Sequence, residues 1–136
     1  VDSGTNQLAW KLRQDECVTV LEQTSARILT SDHITQDCNW VVCDASFIGL
    51  SKVLEVPLQL AARQCQLVAL IKPQFEVEKH EVGKGGVVRD TALHERVCGE
   101  VREWLEGLGW DIEGIVTSPI TGPQGNVEFL VSARRS

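Results

Sequence analysis

The sequence predicts an α/β domain: a mostly parallel sheet flanked by helices, with its last two strands antiparallel. Three observations carry this reading. The runs "CVTVLE" (Cys17–Glu22), "WVVCD" (Trp40–Asp44) and "QLVALIK" (Gln66–Lys72) are continuously apolar rather than alternating, as suits strands covered on both faces. Helical periodicity separates the later runs. The final pair, "WDIEGIVTS" (Trp110–Ser118) and "NVEFLVSA" (Asn126–Ala133), is joined by a loop with no room for a helix, which makes antiparallel neighbours.

Each element follows in chain order. Leu8 and Leu12, four apart with Ala9 between them, predict a short amphipathic helix over Thr5–Gln14. The strands Cys17–Glu22 and Trp40–Asp44 come next. "LSKVLEVPLQLAARQ" carries helical pattern, with Pro57 as an interruption or a start. The strand Gln66–Lys72 ends at Pro73, which has no N–H for a ladder and biases Lys72 towards an extended backbone. Leu93, Val97, Val101, Trp104, Leu105 and Leu108 form one stripe of a helix over Asp90–Leu108, and Gly109 stops it. The two closing strands flank Pro119, Gly122, Pro123 and Gly125.

Composition sets the class. With 136 residues, 43% apolar and 24% charged, the chain is one ordinary globular domain with a real core. No apolar run approaches a membrane span and no signal-peptide pattern is present, so a cytoplasmic location and no membrane partner are expected. Five cysteines without a CxxC pair fit reduced thiols, and Cys43 and Cys65 fall in or beside apolar runs as core residues. His33, His80 and His94 are scattered, and no metal-ligand spacing appears. The net charge of −6 argues mildly against a nucleic-acid partner. Methionine is absent and the chain begins on Val, so an excerpt of a longer polypeptide is expected.

Chemistry concentrates at strand ends. Glu22, Asp44 and Lys72 each end an apolar run, and ligands of open α/β sheets collect at the carboxyl ends of parallel strands. An antiparallel last strand begins at that same edge and brings Glu128 to it. Each group also fits a plain strand end meeting water, and pattern alone leaves both readings open. "GKGG" (Gly83–Gly86) lacks the spacing of a phosphate-binding P-loop. Trp40 and Trp110, at strand starts, are expected in the core.

Four ordered blocks, "VDSGTNQLAWKLR", "VVCDASFIGL", "LIKPQFEVEKHEVGKGGVVRD" and "SPITGPQGNVEFLVS", resemble the TlyA, or hemolysin-A-like, family of FtsJ-like methyltransferases over nearly the whole chain. The resemblance implies a Rossmann-like S-adenosylmethionine-dependent fold and 2′-O-methylation of ribosomal RNA, without a metal. It places three members of a Lys-Asp-Lys-Glu catalytic set on Asp44, Lys72 and Glu128. The first lysine and the Gly-rich cofactor loop have no counterpart; Lys11 belongs to a solvated helix face. The fold is therefore expected to be incomplete, lacking the first strand, most of the second and an S4-like RNA-binding domain, so that residues 1–136 form a partial, inactive methyltransferase domain. Asp2 and Ser25, with Asp44, are the implied cofactor contacts. Lys79, Lys84 and Arg89, in a mobile glycine-broken loop, are candidate contacts to ribosomal RNA, although Glu76, Glu78 and Glu81 dilute their charge. Two alternatives remain: a non-catalytic ribosomal RNA-binding or assembly factor, and a membrane-active hemolysin, for which no strongly basic amphipathic helix is present.

Overall fold

The computed structural model describes residues 1–136. A four-stranded sheet is formed by β1 (Trp40–Cys43), β2 (Cys65–Ile71), β3 (Asp111–Thr117) and β4 (Phe129–Arg135) in the order β1-β2-β4-β3. β1 and β2 are parallel, joined by α2 (Leu50–Leu60); β4 is antiparallel to both of its neighbours, β2 and β3. α3 (Thr91–Gly107) connects β2 to β3 after a long loop. Asp90 caps α3 by accepting a hydrogen bond from Ala92 N–H at 2.9 Å, and Gly109 (φ 88°) takes the left-handed backbone that ends it. The helix is thus bounded as its sequence pattern predicts.

α2 and α3 lie on the same face of the sheet and touch each other. The core is the layer between them and the strands: Leu50, Leu54 and Leu58 from α2, Leu67 and Ile71 from β2, and Val97, Val101 and Leu105 from α3 are among its members. Cys65 is in this core and Cys43 packs against it; burial pushes both thiols up, so they behave as apolar fillers. α2 continues through Pro57. The missing Pro N–H would have bonded the carbonyl of Val53, and the long apolar face of the helix holds it in place across that gap.

Four expectations need correction. Burial along β2 alternates, with Cys65, Leu67, Ala69 and Ile71 buried and Gln66, Val68 and Leu70 half-buried. The strands are therefore covered fully on one face only, because both long helices pack there. Trp40 and Val42 point to the other face at the sheet edge and are 65% and 76% exposed, so Trp40 is not a core residue. Trp110 is one, with the Arg135 guanidinium over its ring at 4.9 Å. Cys17–Glu22 is not a strand: no ladder partner lies beside it, and its ties to the N-terminal segment are isolated ones, among them the hydrogen bond from Asp2 N–H to Leu21 O at 2.9 Å. The first helix, α1, shrinks to Trp10–Arg13, since Asn6 takes a left-handed φ of 55° and Ala9 offers no side-chain cap.

Candidate active site

The carboxyl ends of β1 and β2 and the start of β4 share one rim of the sheet. In β2–β4 pairing Ile71 faces Phe129, so the next residues, Lys72 and Glu128, are opposite each other. β1 ends one residue before Asp44. Lys72 Nζ forms an ion pair with Asp44 Oδ1 at 2.6 Å and donates to Ser46 Oγ at 3.1 Å. The lysine side chain is 11% exposed and the aspartate 69%, so the pair has a dry foot and an open mouth.

Glu128 sits on the same rim but makes no ion pair with Lys72 within 4.0 Å. Its Oε2 instead accepts a hydrogen bond from Gln74 Nε2 at 2.8 Å, and the residue is 6% exposed. Gly122 stands against the same carboxylate: a Cβ there would collide with Glu128 Oε2, so a side chain fits only if that carboxylate moves.

The segment "KPQFE" builds this rim residue by residue. Lys72 reaches Asp44 and Ser46. Pro73 opens a 3₁₀ turn over Pro73–Phe75 and is buried. Gln74 reaches Glu128. Phe75 packs against Phe47 with ring centroids 5.0 Å apart. Glu76 Oε1 accepts the N–H of Leu50 at 2.8 Å and so closes the N-terminus of α2; burial pushes its carboxyl up, and that N–H pulls it back down. Sequence reasoning assigned only the lysine. Ser46, Gln74 and Gly122 were missed, and the signal for Gln74 and Gly122 was the density of unusual residues in "KPQFE" and "TGPQG". Phe47, 90% exposed at a φ of 66°, was missed as well; an aromatic residue held exposed in the left-handed region is strained.

A polar cleft of about 500 Å³ opens beside the rim, with Asp2, Gly4, Ser25, Asp44 and Phe47 in its lining. Asp2 Oδ1 accepts from Gly4 N–H at 2.8 Å, which leaves its other oxygen for a ligand; Ser25 Oγ accepts from Arg27 N–H at 3.2 Å and keeps its own hydroxyl proton to donate. The three residues singled out for the cofactor therefore line one cleft, of a size suited to a nucleoside-bearing ligand. Glu22 is engaged elsewhere, pairing with Arg13 and accepting from Asn6 N–H.

The loop after Pro73 is not the free strand of chain its glycines predict. Glu78 and Glu81 form a reciprocal capping box, and both Glu81 oxygens accept from Arg96 of α3 at 2.7 Å. Asn126, also missed, fastens the far end: its Oδ1 accepts from Val88 N–H at 3.0 Å, while its Nδ2 donates to Gly86 O at 3.0 Å and Pro123 O at 3.2 Å. Lys79, Lys84 and Arg89 are exposed on this anchored loop, with Arg89 Nη1 donating to Lys84 O. His94 is structural, bonded through Nε2 to Val88 O at 2.7 Å; His33 and His80 are exposed. No group of His, Cys, Asp and Glu is arranged to hold a metal.

An open α/β sheet with a charged rim at its strand ends beside a polar cleft is a layout in which such sheets bind ligands. Residues 1–135 match the FtsJ-like methyltransferase family, and the chain belongs to it. Among curated relatives, the 16S/23S rRNA (cytidine-2′-O)-methyltransferase TlyA of Mycobacterium tuberculosis is 47% identical over 98% of this chain and 50% of its own length. Hemolysin A of Brachyspira hyodysenteriae is 34% identical over 96% and 55%. The solved structure of a hemolysin-like protein from Lactococcus lactis superposes with a TM-score of 0.93 at 39% identity, covering 99% of this chain and 65% of that one. The chain thus spans about half the length of the curated relatives it matches.

Proposed function

We propose that this chain serves S-adenosylmethionine-dependent 2′-O-methylation of ribosomal RNA in the cytoplasm, with Asp44, Lys72 and Glu128 as its reacting groups. The observation that carries the reading is the Asp44–Lys72 ion pair at 2.6 Å, buried at the lysine and open at the aspartate, on the ligand-binding rim of the sheet. The relatives named as rRNA methyltransferases support the substrate class. No helix is long and apolar enough to cross a membrane.

The cofactor, when bound, supplies an electrophilic methyl group. Asp2 and Ser25 would hold its ribose and base in the polar cleft, the free Asp2 oxygen suiting a diol that donates hydrogen bonds. Lys72, ion-paired to Asp44 and bonded to Ser46, keeps an N–H to orient the target 2′-hydroxyl through its oxygen. Glu128, across the strand pair, completes the charged set through which the hydroxyl proton leaves. Holding the oxygen in line with the methyl group accounts for much of the rate, since orientation alone is worth roughly 7–11 kcal/mol in well-placed reactions. Lys79, Lys84 and Arg89 on the anchored loop contact RNA phosphates and set the strand's register.

The test is methylation of ribosomal subunits by the full-length protein, with mapping of the modified nucleotide. Lys72→Ala lowers the single-turnover rate by roughly 10²–10⁴-fold and leaves cofactor Kd within twofold. Normal transfer by that variant rejects the assignment.

A further inference from the structure

We infer that Glu76 is a positioning residue for the reaction: it ties the segment that carries Asp44 to the turn that carries Lys72, and so sets where those two charges meet. The inference rests on the function proposed above. α2 has no cap of its own. Gly49, at its N-cap, has no side chain to accept a hydrogen bond, and no acidic residue stands in its first turn. Glu76 fills that place from another part of the chain. Its Oε1 accepts the N–H of Leu50 at 2.8 Å, and its Oε2 lies against Gly49, where a Cβ would stand 3.0 Å away. The contact that closes the helix therefore also joins two segments of the rim.

Between Asp44 and that cap, side chains rather than backbone hold the chain. Residues 45–48 belong to no helix or strand and make no backbone–backbone hydrogen bond. Phe47, in their middle, is exposed at a φ of 66°, a strained backbone that persists only where its surroundings hold it on both sides. The holds all come from residues 72–76. Lys72 reaches Asp44 and Ser46, Phe75 packs on Phe47, and Glu76 bonds Leu50. Lys72 thus grips the near end of the strained loop and Glu76 the far end. The gripping residues are fixed to one another by the hydrogen bonds Phe75 N–H to Lys72 O at 2.9 Å and Glu76 N–H to Pro73 O at 3.0 Å. Releasing the far end lets the loop relax, and the exposed Asp44 at its near end shifts against Lys72.

The experiment uses full-length protein, saturating S-adenosylmethionine and single-turnover methylation of ribosomal subunits, at a temperature where every variant is folded. Glu76→Ala removes the cap and the tie together. Adding Gly49→Ser gives α2 a cap of its own, in a backbone conformation that suits one, without restoring the tie. The rate is expected to fall by roughly 10–100-fold in Glu76→Ala, because a misplacement of about 1 Å costs up to about 100-fold. It stays low in the double variant although the unfolding temperature recovers. Glu76→Gln keeps an acceptor for the Leu50 N–H and stays within about threefold of wild type. Glu76→Asp, one methylene short of Leu50, replaces the alanine variant if that one does not fold. Three results overturn the inference: a Glu76→Ala rate within about twofold of wild type, a double variant that regains rate together with stability, or a Glu76→Gln rate as low as that of Glu76→Ala. The second would make Glu76 a helix cap only. If Lys72→Ala also transfers normally, the failure belongs to the proposed function; if Lys72→Ala is slow and Glu76 dispensable, that function stands without this residue.

Discussion

At the scale of single residues, polar side chains rather than apolar ones define the rim. Gln74, Glu76 and Asn126 each bridge two segments distant in sequence, to Glu128, to the start of α2, and between the Gly86–Val88 and Pro123 turns. Asn126 is the most consequential structurally: it is buried, and its amide nitrogen and oxygen both bond to backbone. Asn126→Ala orphans the buried Val88 N–H, so it is expected to cost roughly 1–3 kcal/mol. A drop of several degrees in Tm, read by calorimetry against wild type, is the expected outcome; a change under one degree would show that water replaces the amide without penalty.

At the scale of elements, the loop between β2 and α3 is held by a charge pair at its middle. The two hydrogen bonds from Arg96, with the N–H of Glu78, hold the Glu81 carboxyl well down, at about 2. The sign follows directly: a carboxyl depressed in the folded state adds stability above its unfolded value near ~4.3 and loses it as pH falls towards about 2. Wild type should therefore exceed Glu81→Gln in stability at neutral pH, the gap narrowing below about pH 4.3 and closing near pH 2. Parallel denaturant titrations of the two proteins at stepped pH measure this. A gap that does not vary with pH would mean that the carboxylate charge contributes nothing to the clamp.

At the scale of the whole molecule, the sheet is unequal on its two faces. α2 and α3 cover one, where Leu67, Ile71, Val131 and Ala133 are fully buried; the other exposes Trp40, Val42 and Val116. Stability therefore belongs to the helix-covered face. Leu67→Ala is expected to cost roughly 2–5 kcal/mol through the cavity it leaves, while Val42→Thr stays within about 0.5 kcal/mol. Denaturation of both variants checks the contrast. Comparable losses would require that the exposed face be covered in solution.

Much of the fold was legible because its signals are local. The stripe from Leu93 to Leu105 with Asp90 before it and Gly109 after it defines α3 without reference to anything else, and the continuous apolar runs mark β1 and β2. Strand ends at Asp44 and Lys72, and the antiparallel return of β4, were readable for the same reason. Where a feature depends on a neighbour, the sequence failed. Cys17–Glu22 has strand composition but no ladder partner, and Trp40 has core chemistry but an uncovered face. What the sequence determined by itself is which residues carry charge and where the strongly periodic elements lie, α3 above all, since these depend on backbone propensity and periodicity. Only the tertiary structure decided that Asp44 holds Lys72, that Glu128 is held by Gln74, and that the basic loop is anchored, because those contacts join segments tens of residues apart whose meeting is set by packing.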